Sequence, residues 1–403
     1  MTTLPLAGVR VVDLTVSLAG PYCTQILGAL GAEVVKVEHP GHGDDTRAWG
    51  PPFWHGEGVL FLSANANKRS LALDVMAAAG REALLRLVDR ADVFVQSLRP
   101  GIAERRGLGA AELRARNARL VYCSIGAFGR TGPLSHLPGY DPLMQAAGGI
   151  VSVTGEPGRS GVRVGTSLVD QGTGMWAALG IVLALMERER SAAGRVVDVS
   201  LYETVIGLVP YQVMGYLAAG VVPQREGTAF PLIAPYQVFP TKDGELMIAA
   251  GNDRLFASLC AAVGAPELAT DERFATNPDR VVNREALVRA LSDRLVREGS
   301  ATWLERLEQA GVPAAPVQDV GEVAEHEQTD ALALLQPLGS ITTVAPPISF
   351  DDERVLHRAP PPRLGEHTAD VLGEAGYSRE EIERLVADGI ARMPSEAEDA
   401  SGR

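Results

Sequence analysis

The sequence is poor in cysteine and aromatic residues, and it has no long apolar run. Its 403 residues include three cysteines, Cys23, Cys123 and Cys260, whose wide spacing indicates buried free thiols in a reducing compartment. The longest apolar stretch, residues 175–186, is shorter than the about 18 residues expected of a membrane span. The first residues also lack the basic and apolar segments of a signal peptide. We therefore expect a cytoplasmic protein without a membrane segment.

The chain has few basic residues for its acidic content, with 37 lysines and arginines against 50 aspartates and glutamates. The resulting net charge of −13 argues against a protein that binds nucleic acid or an anionic membrane surface. It does not exclude an anionic small ligand, because a few arginines can dominate the charge of one pocket.

The sequence also lacks three motifs that would assign an enzyme class. The Gly-x-Gly-x-x-Gly turn of dinucleotide-binding folds is missing after the first expected strand, although the helix that follows could still begin at an anion site. A Walker-type phosphate loop and a Gly-x-Ser-x-Gly nucleophile elbow are missing as well. A nicotinamide-dependent oxidoreductase is therefore a disfavoured alternative, which a spectral titration with the dinucleotide would test.

The length favours two domains. In the first half of the chain, short β-branched runs alternate with helical stretches, a pattern typical of an α/β fold with a parallel sheet and helices on its faces. The expected strands are residues 9–14, 32–37, 92–96, 120–125 and 195–201, and the expected helices are residues 20–30, 77–90, 109–117 and 172–189.

The composition changes near residue 225, which indicates a second and smaller α+β domain at residues 225–327 after a first domain at residues 1–224. Residues 328–403 are proline-rich and extended before a helix near residues 379–388, which is typical of a strap that crosses a surface. The predicted elements of the smaller domain are a hairpin and three helices, at residues 236–249, 255–263, 284–297 and 302–310.

Two histidines and two aspartates lie close together after the second expected strand. His39 and His42 are followed by Asp44 and Asp45, with a proline and two glycines among them. Such a loop does not preorganise metal ligands, and no further histidine or cysteine cluster supports a metal site. We expect no metal here and favour a few polar ligand contacts.

Two groups of cations flank expected strands. Lys68 and Arg69 come just before a short expected strand, and Arg99 and Arg105 follow the strand at residues 92–96. Cations at the carboxyl ends of parallel strands bind phosphorylated ligands, but solvated charged loops have the same composition. At this point a phosphate site and solvated loops are equally good interpretations.

Asp170 stands immediately before the longest expected helix, where an aspartate usually serves as the cap. Gly172 and Gly174 follow it, and glycine in a first turn lowers helix stability, so a capping role alone does not account for this segment. Glycines there would let another group approach the backbone. Asp170 is therefore a candidate site residue.

Eight short segments lie in a recognisable order along nearly the whole chain: Leu18-Ala19-Gly20-Pro21, Gly43-Asp44-Asp45-Thr46-Arg47, Asn67-Lys68-Arg69-Ser70, Asp92-Val93-Phe94-Val95, Pro100-Gly101, Gly139-Tyr140-Asp141, Gly251-Asn252-Asp253 and Leu364-Gly365-Glu366-His367-Thr368. Each is weakly specific alone, but their order and spacing together are highly specific. Through these segments, the chain resembles the class III CoA-transferases, a family that includes formyl-CoA:oxalate CoA-transferase, carnitine CoA-transferase and α-methylacyl-CoA racemase.

The resemblance implies a Rossmann-like large domain, to which residues 328–403 also contribute, together with a small domain. It further implies that two copies of the chain form an interlocked homodimer. It also implies that Asp170 is the catalytic nucleophile, which becomes acylated and then carries CoA as a thioester before CoA passes to a carboxylic acid. Acyl-CoA is then a substrate, and no metal or tightly bound cofactor is needed. The substrate-binding and CoA-binding residues that it implies are Ser17, Leu18, Leu71, Ala72, Leu73, Asp74, Ser97, Leu98, Arg99, Arg105, Tyr140 and Asp141.

Tyr140 separates the transferases from the racemases of this family. The racemases that the chain resembles have a histidine there, which forms a two-base proton shuttle with the aspartate. A tyrosine, with an ordinary pKa of about 10, is a poor base at neutral pH, so we predict a transferase. A racemase is the nearest alternative. A CoA-binding protein without catalysis is a further one, and it would tolerate replacement of Asp170.

The segment at residues 225–237 resembles transferases that use succinyl-CoA and a dicarboxylate such as glutarate. It departs from them at Phe230, where those transferases tend to have histidine, so the identity of the acceptor acid stays open. Arg47 and Arg225 are candidates to neutralise a distal carboxylate of the acceptor. Backbone N–H groups at residues 172–174 or 225–230 are candidate oxyanion donors.

Overall fold

The structure is a computed structural model that describes residues 4–394. The chain divides into two structural units. The larger unit comprises Met1–Ile150, Val164–Tyr211 and Glu327–Arg403, and the smaller unit comprises Val151–Arg163 and Gln212–His326. The smaller unit thus includes segments that the sequence analysis assigned to the first domain. The outer ends of the predicted domains, residues 1–3 and 395–403, lie outside the described residues.

The strands of the described residues are, in chain order, β1 (Arg10–Leu14), β2 (Glu33–Glu38), β3 (Phe53–Trp54), β4 (Glu57–Gly58), β5 (Lys68–Leu73), β6 (Val93–Gln96), β7 (Val121–Gly126), β8 (Val196–Ser200), β9 (Tyr236–Pro240), β10 (Glu245–Ala249), β11 (Ala314–Pro316), β12 (Leu335–Leu338), β13 (Ile341–Val344), β14 (Ser349–Phe350), β15 (Glu353–Arg354) and β16 (Ala391–Arg392).

The α-helices of the same residues are α1 (Ala19–Ala29), α2 (Val59–Ala64), α3 (Ala78–Val88), α4 (Ile102–Arg105), α5 (Ala110–Arg116), α6 (Asp141–Ala147), α7 (Ile150–Val153), α8 (Leu168–Ser191), α9 (Leu201–Gly207), α10 (Pro210–Ala219), α11 (Asp253–Ala262), α12 (Asn277–Val282), α13 (Arg284–Leu295), α14 (Ser300–Gln309), α15 (Val320–Ala324), α16 (Glu327–Ala331), α17 (Thr368–Glu374) and α18 (Arg379–Ala387).

A seven-stranded sheet forms the centre of the larger unit, in the order β16-β5-β2-β1-β6-β7-β8. All its neighbouring strands pair in parallel except β16, which runs antiparallel to β5 at one edge. The α/β fold with a mostly parallel sheet is therefore confirmed. The edge strand β16 was not predicted, because two residues are too few to show a period of two.

Alternate residues of the central strands face opposite sides of this sheet, as the two-residue period of a strand requires. In β6, Val93 and Val95 belong to the core that includes α1 and α8, whereas Phe94 belongs to the core that includes α3 and α18. All three side chains are fully buried. The strand is thus apolar throughout because helices cover both faces of the sheet.

Helix α8 packs closely against α1 and α9 through two glycines. A Cβ added to Gly174 would lie 2.6 Å from the Ala19 carbonyl oxygen, and one added to Gly172 would lie 3.1 Å from Cγ2 of Thr204. Both glycines are inside α8, where backbone N–H groups bond within the helix. They therefore serve helix packing, and the prediction that residues 172–174 supply oxyanion donors is wrong.

By length and composition alone, α8 could cross a membrane, and it is the one helix among the described residues that meets this test. Half of an apolar 18-residue stretch of α8 is buried within the fold. Ala177 and Ile181, for example, belong to the core between α8 and the sheet. Packing within the fold accounts for these buried apolar residues, whereas the rest of the stretch is not buried.

The smaller unit has its own antiparallel sheet, in the order β11-β10-β9. Strands β9 and β10 form the predicted hairpin, with Leu246 opposite Phe239. Both side chains are buried in a core to which α11, α13 and α14 contribute. The hairpin and the three helices that follow it are therefore confirmed.

We predict that Gly174→Ala lowers the free energy of unfolding by about 1–3 kcal/mol, the usual cost of forcing an extra carbon into a packed interior. The added methyl would collide with the α1 backbone, which cannot rotate away as a side chain can. Urea denaturation of both proteins measures the difference.

Gly207→Ala is the matched control, because no atom lies within 4 Å of the added Cβ and Gly207 is the last residue of α9. Alanine also favours helix, so this variant should be as stable as the wild type or slightly more so. Equal stability of Gly174→Ala and Gly207→Ala would contradict the packing role.

Candidate active site

A cavity of about 790 Å³ lies in the larger unit, at the carboxyl edge of the main sheet. Its walls come from the segments that follow β1, β6, β7 and β8, for example Ser17, Ser97, Ala127 and Leu201. The chain leaves β1 toward β2 on one side and leaves β6 toward β7 on the other, so a topological switch point lies between β1 and β6. Open α/β sheets bind their ligands at this position.

Asp170 lines this cavity from the first turn of α8. Among the described residues, no hydrogen bond or ion pair reaches its carboxylate. Burial, and secondarily the negative charge of Asp141, raises the pKa of Asp170 to about 7. A carboxylate without partners, in a poorly hydrated place, is more basic and more nucleophilic than one in water.

Asp141 is the residue that caps α8. Its Oδ2 accepts hydrogen bonds from the backbone N–H groups of Val169 (2.8 Å) and Asp170 (3.2 Å), and its Oδ1 accepts one from Nε2 of Gln145 at 2.6 Å. Ser167, at the N-cap position itself, makes no capping hydrogen bond with its side chain. The capping interpretation of Asp170 is therefore wrong, because the cap is supplied from 29 residues earlier in the chain.

The structure brings part of the predicted CoA-binding set together around one cavity. Tyr140 is 53% exposed and lines the same cavity as Asp170, which is also lined by Ser17, Ser97, Leu98 and Arg99. Arg105 extends over Gly101, which is itself a cavity residue. Neither Arg99 nor Arg105 forms an ion pair within residues 4–394, so both guanidinium groups can meet an anionic ligand.

Other members of the predicted set do not line this cavity. Leu18 is buried at the start of α1, and Asp141 is buried behind Asp170. The side chains of Leu71, Ala72 and Leu73 lie inside the sheet, where they are at most 1% exposed. The side chains of these three residues cannot contact a ligand. A ligand contact in that segment would involve the backbone or Asp74, which follows the strand.

Lys68 and Arg69 are not a phosphate-binding pair, which corrects the first of the two cation hypotheses. They lie within β5 rather than before it. The Lys68 Nζ is buried 3.1 Å from Oδ2 of Asp13, and Arg69 pairs with Glu374. Burial lowers the pKa of Lys68 to about 8, although the negative charge of Asp13 opposes this shift.

Arg47 forms ion pairs within the fold, which corrects its assignment as a contact of the acceptor acid. Its guanidinium is 2.8 Å from Glu38 and 2.7 Å from Glu57, donates to the Pro362 carbonyl at 3.0 Å, and lies over the Phe61 ring. With 7% exposure, this side chain cannot reach a substrate without breaking these contacts.

Arg225 belongs to the smaller unit, where it lines a separate cleft of about 470 Å³ together with Gln237 and Arg284. Its Nη1 donates to the Ser152 carbonyl at 3.1 Å. Neither Arg225 nor Arg284 forms an ion pair with a carboxylate among the residues that the structure describes. Arg225 is thus still a candidate for binding an anionic group.

Arg130 is a cavity residue that the sequence analysis missed. It follows β7 and lies 3.0 Å from Asp198, and both side chains line the cavity. The rule that selected Arg99, a cation just after a parallel strand, would also have selected Arg130. By contrast, no local pattern marks Glu203, which reaches the cavity from α9.

The loop with the two histidines has no metal-binding geometry. His39 and His42 stack on each other with ring centroids 4.3 Å apart. Across residues 4–394, no group of three histidine, cysteine, aspartate or glutamate side chains is arranged to hold a metal ion.

An α/β fold with a carboxylate of raised pKa in its cavity is typical of an enzyme that uses that carboxylate as a nucleophile or a general base. Comparisons with known proteins agree with this class. The family model described as CoA-transferase family III matches residues 6–368. The chain therefore belongs to CoA-transferase family III, and it is an enzyme that transfers CoA.

Two relatives and one solved structure show how far the similarity extends. The succinyl-CoA:glutarate CoA-transferase of Mus musculus is 39% identical over 96% of this chain and 90% of its own length. The acetyl-CoA:oxalate CoA-transferase of Acetobacter aceti is 41% identical over 92% of this chain and 95% of its own length. The crystal structure of a CAIB/BAIF family protein from Brucella suis has a TM-score of 0.84 and 40% identity over 93% of this chain and all of that one.

We predict that kcat/KM for the acyl-CoA donor falls as the pH drops below about 7, because only the ionised form of Asp170 can attack. Asp141→Asn removes the nearby negative charge while keeping an oxygen that can accept from Val169 and Asp170. The acid limb of its profile should therefore move to lower pH. Steady-state rates at closely spaced pH values measure both limbs.

The shift should be partial, because burial contributes more than Asp141 to the raised pKa of Asp170. Asp89→Asn is the control, since Asp89 is a surface partner of Arg116 and not a cavity residue. Coincident acid limbs for the wild type and Asp141→Asn would show that Asp141 does not tune the nucleophile.

Proposed function

We propose that this enzyme moves CoA from succinyl-CoA to a dicarboxylic acid, with Asp170 as the covalent catalyst. One observation carries the proposal: the carboxylate of Asp170 lines the cavity without any hydrogen-bond partner among the described residues, and its pKa is raised. The names of the mouse and Acetobacter relatives support the acceptor class, because glutarate and oxalate are both dicarboxylates.

The chemistry proceeds in four exchanges. An Oδ atom of Asp170 attacks the donor thioester carbonyl, the C–S bond breaks, and a mixed anhydride and CoA thiolate result. The thiolate attacks the aspartyl carbonyl and releases the donor acid, which leaves an aspartyl-CoA thioester. The acceptor carboxylate then attacks this thioester and expels the thiolate. Finally the thiolate attacks the acceptor carbonyl of the new anhydride, so that the product acyl-CoA forms and Asp170 is regenerated.

CoA occupies the cavity at the switch point in this proposal. Arg99 at the wall and Arg105 over Gly101 provide positive charge for the phosphates, and Ser17 and Ser97 form the wall at the ends of β1 and β6. Tyr140 lies beside the reacting carbonyl. A tyrosine at this position, rather than a histidine, removes the second base that a racemase needs.

Arg225 is kept as a candidate contact for the distal carboxylate, since no carboxylate of the described residues neutralises it, whereas Arg47 is excluded by its buried ion pairs. Phe230 packs against Tyr236 with ring centroids 5.5 Å apart. The side chain at this position is thus apolar and cannot itself pair with a carboxylate of the acceptor.

We also propose that the enzyme is a cytoplasmic homodimer. One side of α8 carries an exposed apolar stripe, with exposures from 47% to 62%. Its members are Met175, Trp176, Leu179, Leu183 and Met186. A stripe of this size on a folded surface is typical of a protein interface, and a second copy of the chain is the occupant that the family resemblance implies.

The test is a panel of dicarboxylic acids with succinyl-CoA as donor, with the new acyl-CoA detected by mass spectrometry. We expect transfer by the wild type and a loss of about a thousandfold or more in Asp170→Asn, because the amide cannot become the covalent carrier. Asp89→Asn should retain wild-type rates.

Two results would contradict the proposal. One is equal transfer by Asp170→Asn and the wild type. The other is exchange of the α-hydrogen of a chiral 2-methylacyl-CoA in deuterated water without any acceptor acid, which would identify a racemase.

A further inference from the structure

Six charged side chains are buried beneath the loop that follows β1, and the proposed chemistry uses none of them. Each is at most 7% exposed, and none lines the cavity. Three are acidic and three are basic: Asp13, Glu38, Asp44, Lys36, Arg47 and Lys68. Burying charges costs free energy, and well-packed apolar residues of similar size are often at least as stabilising. A cluster of this kind therefore calls for an explanation other than stability alone.

Part of this cluster holds the backbone of residues 15–17. Asp13 Oδ1 accepts from the Thr15 N–H at 3.0 Å, and Lys36 Nζ donates to the Thr15 carbonyl at 3.0 Å. Asp44 Oδ1 accepts from the Ser17 N–H at 3.2 Å. The Val16 N–H between them donates to Oγ of Ser97 at 3.1 Å. Successive backbone groups of this short loop are thus fixed by different partners.

Ser17 needs this support because its backbone is in the left-handed region, with φ of +71°. That conformation is unfavourable for a residue with a Cβ, and it persists only where the surroundings enforce it. Ser17 also lines the cavity at the switch point. The strained residue is therefore part of the cavity wall.

Asp44 is in turn held in place from its other side. Its Oδ2 is 2.8 Å from Nζ of Lys36, and its Oδ1 also accepts from the backbone N–H of Thr46 at 3.0 Å. Since Lys36 contacts both Asp44 and the Thr15 carbonyl, one ammonium group connects the two ends of the loop.

We propose that Asp44, backed by Lys36, is a positioning residue for CoA: it holds Ser17 in the left-handed conformation that shapes the CoA-binding wall of the cavity. This inference rests on the proposed function, because CoA is the ligand that it names. Asp44 itself does not contact the ligand, and it acts through the backbone of Ser17.

The test is the affinity for free coenzyme A, measured by calorimetric titration without donor or acceptor acid. Asp44→Ala should weaken binding by about tenfold or more, the scale of losing hydrogen bonds to a charged group. In turnover, its KM for the acyl-CoA donor should rise while kcat at saturating donor stays within about threefold, because Asp170 is untouched.

Asp44→Asn is the second variant, which guards against a failure of Asp44→Ala to fold. Its amide oxygen can still accept from Ser17, but it loses the ion pair with Lys36, so its affinity should lie between those of the wild type and the alanine variant. Asp92→Ala is the matched control: Asp92 pairs with Arg188 and accepts from the Arg10 N–H just before β6, at the amino edge of the sheet. It should lower the melting temperature without changing CoA affinity.

The outcomes separate this inference from the proposed function. If the wild type fails to bind CoA, the proposed function is wrong. If the wild type binds CoA and the Asp44 variants that fold bind it within about twofold of the wild type, a difference too small for a lost charge-assisted contact, only the positioning role is wrong.

Discussion

The structure depends on one buried carboxylate that accepts two backbone N–H groups at the start of α8. Through these bonds Asp141 fixes where the helix begins, and so it fixes where Asp170 is held. Its charge adds to the effect of burial on the pKa of Asp170. Because the cap comes from Asp141, the carboxylate of Asp170 is not occupied as a cap and can act as a nucleophile.

The sheet supplies the rest of the site. The loops after β1 and β6 line the cavity at the switch point, and the first turn of α8 places Asp170 in its wall. Gly174 allows α8 to pack closely against α1. A buried cluster of charges beneath the first loop holds Ser17 in an unfavourable backbone conformation. The position of Asp170 and the conformation of Ser17 thus depend on buried polar contacts from residues that are distant in the sequence.

Local patterns in the sequence predicted the elements that have a clear composition. The strand at Val93–Gln96 was found as a short apolar run, and the hairpin at Tyr236–Ala249 was found from the turn residues between its two strands. Contacts between residues that are distant in the sequence produce no local pattern. Lys68 is buried because it pairs with Asp13, and β16 is a strand because it pairs with β5. Asp170 was selected as a candidate from the glycines that follow it, whereas Asp141, which caps its helix, was assigned to ligand binding because the capping contact spans 29 residues.

The central claim is that the side chain of Asp170 carries the acyl group and then CoA during turnover. Its most direct test is to mix the enzyme with succinyl-CoA, quench the reaction with borohydride or hydroxylamine, and map the modified peptide by mass. We predict a modification at position 170 that disappears in Asp170→Asn. Continued product formation with no mark at that position would contradict it.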